Sequence, residues 1–266
     1  MTANFAGPLY KRVFKVKRKR VNYQERQTDT NGAEVLVPFD DKQSPERRME
    51  VTLRLSDLVM RIATYVICRV IVDGETLLQD ERLSTAHAIL QRVTTTHMCN
   101  HKLTAEGIVC EVDGQQFQLH EAYKTMTLTR TVYEHLAMFY FLYEHPQTDD
   151  ERRQMWDDWQ HGVQKIPYSQ AWRYLFRNRE MAQMYHHLSV HCHPVCEGLT
   201  QFQSQSDTSQ GNECVPLHLS SCFLASLCSM FVRQLPQGCL SVEQQFTRHE
   251  LSQFDTLSQL RFFKTK

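Results

Sequence analysis

Glycine and proline are both scarce in this chain, 9 and 8 among 266 residues. Sheet-rich proteins spend these residues on turns, so their scarcity points to long helices with few connections. An excess of charge of either sign is also lacking: 30 Lys and Arg balance 30 Asp and Glu. That balance excludes a protein that holds a polyanion by bulk charge. The most apolar early stretch, Leu58 to Val72, is broken by Arg61 and Arg69. It is too short and too charged to cross a bilayer, and no membrane segment is expected. The opening MTANFAGPLYKR carries no secretory apolar core. Glycine-rich phosphate loops (GxxxxGK[ST], GxGxxG), a GxSxG elbow, HExxH and CxxC are all missing. Kinase, P-loop and Rossmann chemistry are therefore poor readings. The nine cysteines are odd in number and scattered, which fits reduced thiols of the cytoplasm rather than a disulfide framework.

What is present is ordinary for a globular protein: 41% hydrophobic and 23% charged residues, enough apolar material for a real core. Residues 11–20, KRVFKVKRKR, hold seven basic side chains. Such a run suits nucleic-acid contact and equally suits a solvated arm. Residues 1–48 read as a basic and polar arm or peripheral layer, and residues 49–266 as one helical bundle domain.

Apolar residues recur at helical spacing from Glu50 to about Val72, although the β-branched end from Val66 could extend as a strand. Ser84 is placed to cap a helix running to about Cys99. GIVCEV, Asp113-Gly114 and QQFQLH read as a short β-hairpin with a two-residue turn, lying on the helices. The strongest helix spans about Glu121 to Glu144 and is apolar on several faces, which marks a central position. A charged helix comes next over Asp149 to Gln164. Ser169 can cap the next segment, and helix resumes from Arg179 to about Cys192. Residues 200–213 form a polar loop, Pro216 opens a nearly apolar helix to Leu235, and Ser241 caps a last helix to about Leu260. The fold class expected is mainly α: a helical bundle with a small β-hairpin appendage, centred on 121–145, 179–193 and 216–235.

Two constellations could carry chemistry. Arg130 and Glu134 are four apart and meet on one helical face, leading into the apolar flank of Ala137, Met138 and Phe141. A buried pair of this kind needs further partners, because desolvating each ion is costly; an exposed one is only an intrahelical ion pair. Tyr185, Ser189 and His193, spaced four and four, line up beside Met181, Leu188 and Cys192. The histidine can exchange a proton near neutral pH, or simply satisfy backbone groups at a helix end. The stretch HHLSVHCHPVC, 186–196, is dense in metal-capable groups, with His187 and His191 four apart, but lacks a zinc-site motif, and neither metal nor cofactor is expected.

Two resemblances bear on these residues. Residues 129–194 resemble a bacterial helical domain family of unknown function. It pairs an Arg-x3-Glu helix, here Arg130 to Glu134, with a Tyr-x3-Ser-x3-His line about fifty residues on, here Tyr185, Ser189 and His193. That resemblance implies a bundle in which the two motifs converge, and carries no activity with it. The Arg-x4-His spacing, at Arg92 to His97 and at Arg130 to His135, is similar to the motif of HEPN ribonucleases, with Val93 and Thr131 where a polar residue usually follows the arginine. That likeness implies a homodimer whose arginine stabilises phosphate charge while histidine assists proton transfer or positions RNA. The site expected is therefore interior. Glu134 orients Arg130, Arg130 binds phosphate or RNA, His193 exchanges a proton, and Tyr185 and Ser189 hold the ligand or the histidine in place. The alternative is a non-catalytic helical interaction or structural protein in which these residues satisfy one another.

Overall fold

The computed structural model describes residues 43–73, 77–106, 108–112, 115–119, 122–168, 171, 175, 188–189, 214–236, 239–240 and 242–259. The chain is mainly helical. Four long helices build the described core: α1 (Pro45–Asp73), α2 (Glu81–Glu106), α3 (Ala122–Phe139) and α5 (Cys214–Gln234). Two shorter ones flank them, α4 (Asp149–Gln160) and α6 (Arg248–Ser258). Helix α1 stays helical to Asp73, so its β-branched end does not extend as a strand. Packing decides this: Val66, Ile67 and Val70 are all buried against neighbouring helices, and tertiary burial overrides a weak local preference.

Three of the core helices, α1, α2 and α3, repeat their inward residues with alternating steps of four and three. On α1 the stripe is Thr52, Ser56, Val59, Ala63, Val66 and Val70. On α2 it is Ala86, Leu90, Val93, His97 and Asn100, and on α3 Thr125, Thr129, Val132, Leu136 and Phe139. This is the spacing that keeps one seam of a helix facing its partners. The stripes share a second feature. Toward the start of α1 and α3 and the end of α2 they turn polar, whereas the opposite half is apolar throughout. Because His97 meets Ser56 and Ser220, Thr129 meets Asn100 and the Pro216 carbonyl, and His87 at the other end of α2 meets the Ile67 carbonyl, α1, α3 and α5 run one way and α2 runs against them. Helices α2 and α5 touch each other and both neighbours, with α1 and α3 on opposite sides of that pair. Helix α5 is long and apolar enough to cross a membrane, and 83% of that apolar stretch is buried inside the bundle.

Helix starts follow side-chain caps. Asp80 Oδ1 accepts from the backbone N–H of Arg82 and Leu83 at 2.8 and 3.1 Å, so α2 begins before Ser84, the expected cap. Likewise Thr247, not Ser241, caps the last helix, in a reciprocal arrangement with Glu250; a short 3-10 turn at Val242–Gln244 precedes it. Thr148 and Glu151 form the same reciprocal cap on α4. Between α2 and α3, β1 (Ile108–Val112) and β2 (Gln115–Leu119) pair antiparallel, with Cys110 opposite Phe117. Beyond Phe139, α3 widens into a π-helical turn, Tyr140–Glu144, closed by His145 N–H donating to the Tyr140 carbonyl at 2.8 Å. Pro146 then ends the helical path.

The expected arm lies almost wholly outside the described residues, and Pro45–Arg48 belong to α1. The expected central helix over 179–193 also lies outside them, apart from Leu188 and Ser189, both helical.

Candidate functional site

Arg130 and Glu134 are in contact as their spacing requires: Nε donates to Oε1 at 2.8 Å, with side chains 18% and 32% exposed. The pair sits on the flank of α3 beside its buried seam, since Thr129 and Tyr133, their neighbours in sequence, are fully buried. Tyr133 fixes the adjoining face by donating its hydroxyl to the Tyr168 carbonyl at 2.6 Å. The guanidinium is thus half-sheltered and held from its Nε side, an arrangement suited to a fixed cation.

Of the second expected motif, Ser189 is helical and half-buried beside the fully buried Leu188. Tyr185 and His193 lie outside the described residues, as do His187, His191, Cys192 and Cys196. Among the described residues no group of three His, Cys, Asp or Glu side chains is placed to hold a metal ion.

The two Arg-x4-His pairs have different surroundings. His135 Nδ1 lies 2.8 Å from the Thr131 carbonyl, so it is engaged with its own helix. Arg92 is exposed while His97 is fully buried, which puts them on different sides of α2. Five residues advance an α-helix by well over a full turn, and the two side chains point apart.

The most developed polar constellation lies outside both expected motifs. His97 Nδ1 lies 2.7 Å from Ser220 Oγ on α5, and its Nε2 lies 2.9 Å from Ser56 Oγ on α1. The same Ser56 Oγ lies 2.9 Å from His101 Nδ1, one turn further along α2. Ser56, His97 and Ser220 are sealed from solvent, and His101 is partly exposed. Burial pushes the His97 imidazole down to about 3; the nearby His101 adds to this, while a backbone contact at Ser56 opposes it. His101 is also lowered by burial, against the attraction of Asp57. Both rings are neutral at physiological pH.

A second polar junction adjoins it. Asn100 Nδ2 donates to Thr129 Oγ1 at 2.9 Å, and that hydroxyl is shared between the carbonyls of Thr125 and Pro216 at 2.7 and 2.9 Å. Asn100 Oδ1 has no hydrogen-bond partner among the described residues. His218, buried on α5, is pushed by burial down to about 4.

The sequence does contain a trace of this seam. His97 and Asn100 continue the four-three stripe of Ala86, Leu90 and Val93, just as Ser56 continues that of Val59 and Ala63. Polar residues in phase with a core stripe are the mark of a buried network. The thiols show less pattern. Cys214, Cys222 and Cys228 are buried and Cys68 and Cys99 exposed; burial raises Cys228 to about 12, so it stays a protonated, unreactive thiol.

No known protein family, curated protein or solved structure matches this chain.

Proposed function

We propose that this chain is a cytoplasmic bacterial helical protein that binds a phosphate-bearing ligand, RNA in the first instance, through Arg130. The observation that carries this reading is the half-sheltered guanidinium held at 2.8 Å by Glu134. Partial shelter from water strengthens a cation's pull on an anion, and Glu134 fixes the direction of the guanidinium while offsetting part of its charge. In this reading Tyr185 and Ser189 orient the ligand and His193 exchanges a proton, which extends binding to a stress or phage-defence ribonuclease acting as a homodimer. The basic run at 11–20 would add sequence-independent attraction to the RNA backbone. The paired strands β1 and β2 are read as a small hairpin appendage on the bundle.

A second reading has its own support. His97 at the centre of the network is sealed inside the bundle and bonded by two serines, as in a protein whose polar residues fix helix register rather than perform chemistry. Such a chain would be a non-catalytic interaction or structural protein.

Incubation with total RNA separates the two. On the first reading RNA is cleaved, or at least retained at low salt, and Arg130→Ala abolishes this while circular dichroism stays unchanged. If RNA is neither cleaved nor retained, the RNA reading falls and the interaction protein stands.

A further inference from the structure

Ser220, His97, Ser56 and His101 form an unbranched chain of four groups joined by three links of 2.7, 2.9 and 2.9 Å. The hydroxyl of Ser220 has His97 Nδ1 as its hydrogen-bond partner and is fully buried. A buried O–H left without an acceptor is costly, so Ser220 donates to Nδ1. His97 then carries its proton on Nε2 and donates to Ser56 Oγ. Ser56 in turn donates to His101 Nδ1, and His101 keeps its own proton on Nε2. Three links hold three protons, all pointing from α5 toward α2. The reverse direction leaves the Ser220 proton with no acceptor, so the order is unique.

A fourth proton does not fit. If His101 gains one at Nδ1, Ser56 Oγ faces two N–H donors and its own hydroxyl proton loses its acceptor. Turning Ser56 toward His97 would require His97 to move its proton to Nδ1, which orphans the Ser220 proton instead. In either case one buried hydroxyl proton is left without an acceptor, at a cost that weakens the junction. We propose that this chain is a pH-sensitive latch: neutral His101 closes the junction of α1, α2 and α5, and protonated His101 opens it.

The surroundings agree with a latch that is set at neutral pH. From α1, Asp57 attracts a charge on His101 and is itself engaged by Arg61 at 3.1 Å. From α2 itself, His97 would oppose that charge. Helix α5 brings Ser220 and the buried His218, and α3 brings Thr129 with its Arg130–Glu134 pair on the adjoining turn. His101 is the partly exposed member and so the one that solvent can protonate.

The latch is independent of the proposed RNA site and is tested on the intact chain. Nitrogen NMR of 15N-histidine-labelled protein reads each tautomer directly. At pH 7.5, His97 and His101 are both expected as the Nε2–H form, and the His97 ring nitrogens are expected to shift at the pH where His101 titrates. Ser220→Ala removes the far donor, so neutral His101 loses its advantage. Its midpoint should rise by about half a unit or more, roughly a threefold change in proton affinity. Because Ser220 is two groups away from His101, mere loss of packing would not move that midpoint. An Nδ1–H His97 at pH 7.5, or a His97 signal indifferent to the His101 titration, overturns the latch on the wild-type chain alone. An unchanged His101 midpoint in a folded Ser220→Ala overturns it as well.

Discussion

Thr129 Oγ1 on α3 lies 2.9 Å from the Pro216 carbonyl at the start of α5, and accepts from Asn100 of α2 at the same distance. A proline cannot bond its own preceding turn through nitrogen, but its carbonyl remains available, and here it anchors a neighbouring helix. One hydroxyl therefore ties three helices at the polar end of the bundle.

Thr129→Val keeps the shape and removes the hydroxyl, leaving the Asn100 amide without its acceptor. The expected loss is about 1–3 kcal/mol, and several degrees in melting temperature. Adding Asn100→Leu should cost much less than it does alone, because both partners of the bond are then gone. A double-mutant cycle by urea unfolding measures the difference; strict additivity of the two changes would contradict the contact.

Acid should weaken the fold before the carboxylates protonate. His97 and His218 have folded values near 3 and 4, below the ordinary 6.5. The unfolded chain thus binds protons that the folded one refuses. Their contribution is complete above pH 6.5 and is lost as pH falls toward 4 for His218 and 3 for His97, at up to about 1.4 kcal/mol per pH unit for each. Urea midpoints taken between pH 7.5 and 4.5 should fall steadily, and a flat profile would show these rings to be accessible.

Glu250 has two duties on α6. It receives the Thr247 N–H at 2.9 Å, completing the cap, and pairs with Arg61 of α1 at 2.8 Å. The Thr247 backbone first, then Arg61, holds its carboxyl below the usual range, while burial works against them. Glu250→Ala should cost about 1–2 kcal/mol, the sum of a weakened cap and a surface ion pair. Arg61→Ala leaves the cap intact but removes the Glu250 pair together with the Asp57 pair at 3.1 Å, so its cost should shrink with added salt more than that of Glu250→Ala. Thermal melts at low and high ionic strength decide it.

The helices were readable in sequence because burying one face imposes a period on the chain, which survives in α1, α2 and α3, while α5 stands out as nearly apolar and buried almost all round. The Arg130–Glu134 contact was readable for the same reason, being local to one helix. Two helix starts differ from expectation because Ser84 and Ser241 are acceptable caps in isolation, whereas Asp80 and Thr247 lie where the backbone turns. The strand alternative for the end of α1 failed because Val66, Ile67 and Val70 met other helices. The Ser56–His97–Ser220 network was not legible for a different reason. Its members lie 41 and 123 residues apart, and no local pattern says that two serines will face one imidazole. The polar half of each stripe was visible, but its partners were set only by the packing of α1 and α5 on α2.

The π-helical turn at the end of α3 holds one residue more than an α-helical path would need. That surplus rotates the residues beyond it, so that Phe141, Leu142 and Tyr143 are buried in succession and Glu144 reaches Arg233 and Gln234 of α5 at 3.1 and 2.9 Å. Removing a single residue there should let the backbone relax into an unbroken α-helix, at the expense of swinging Glu144 about a quarter-turn off its partners. Shortened by one position, the chain would keep its helix content by circular dichroism yet melt earlier, a mismatch of phase rather than a loss of structure.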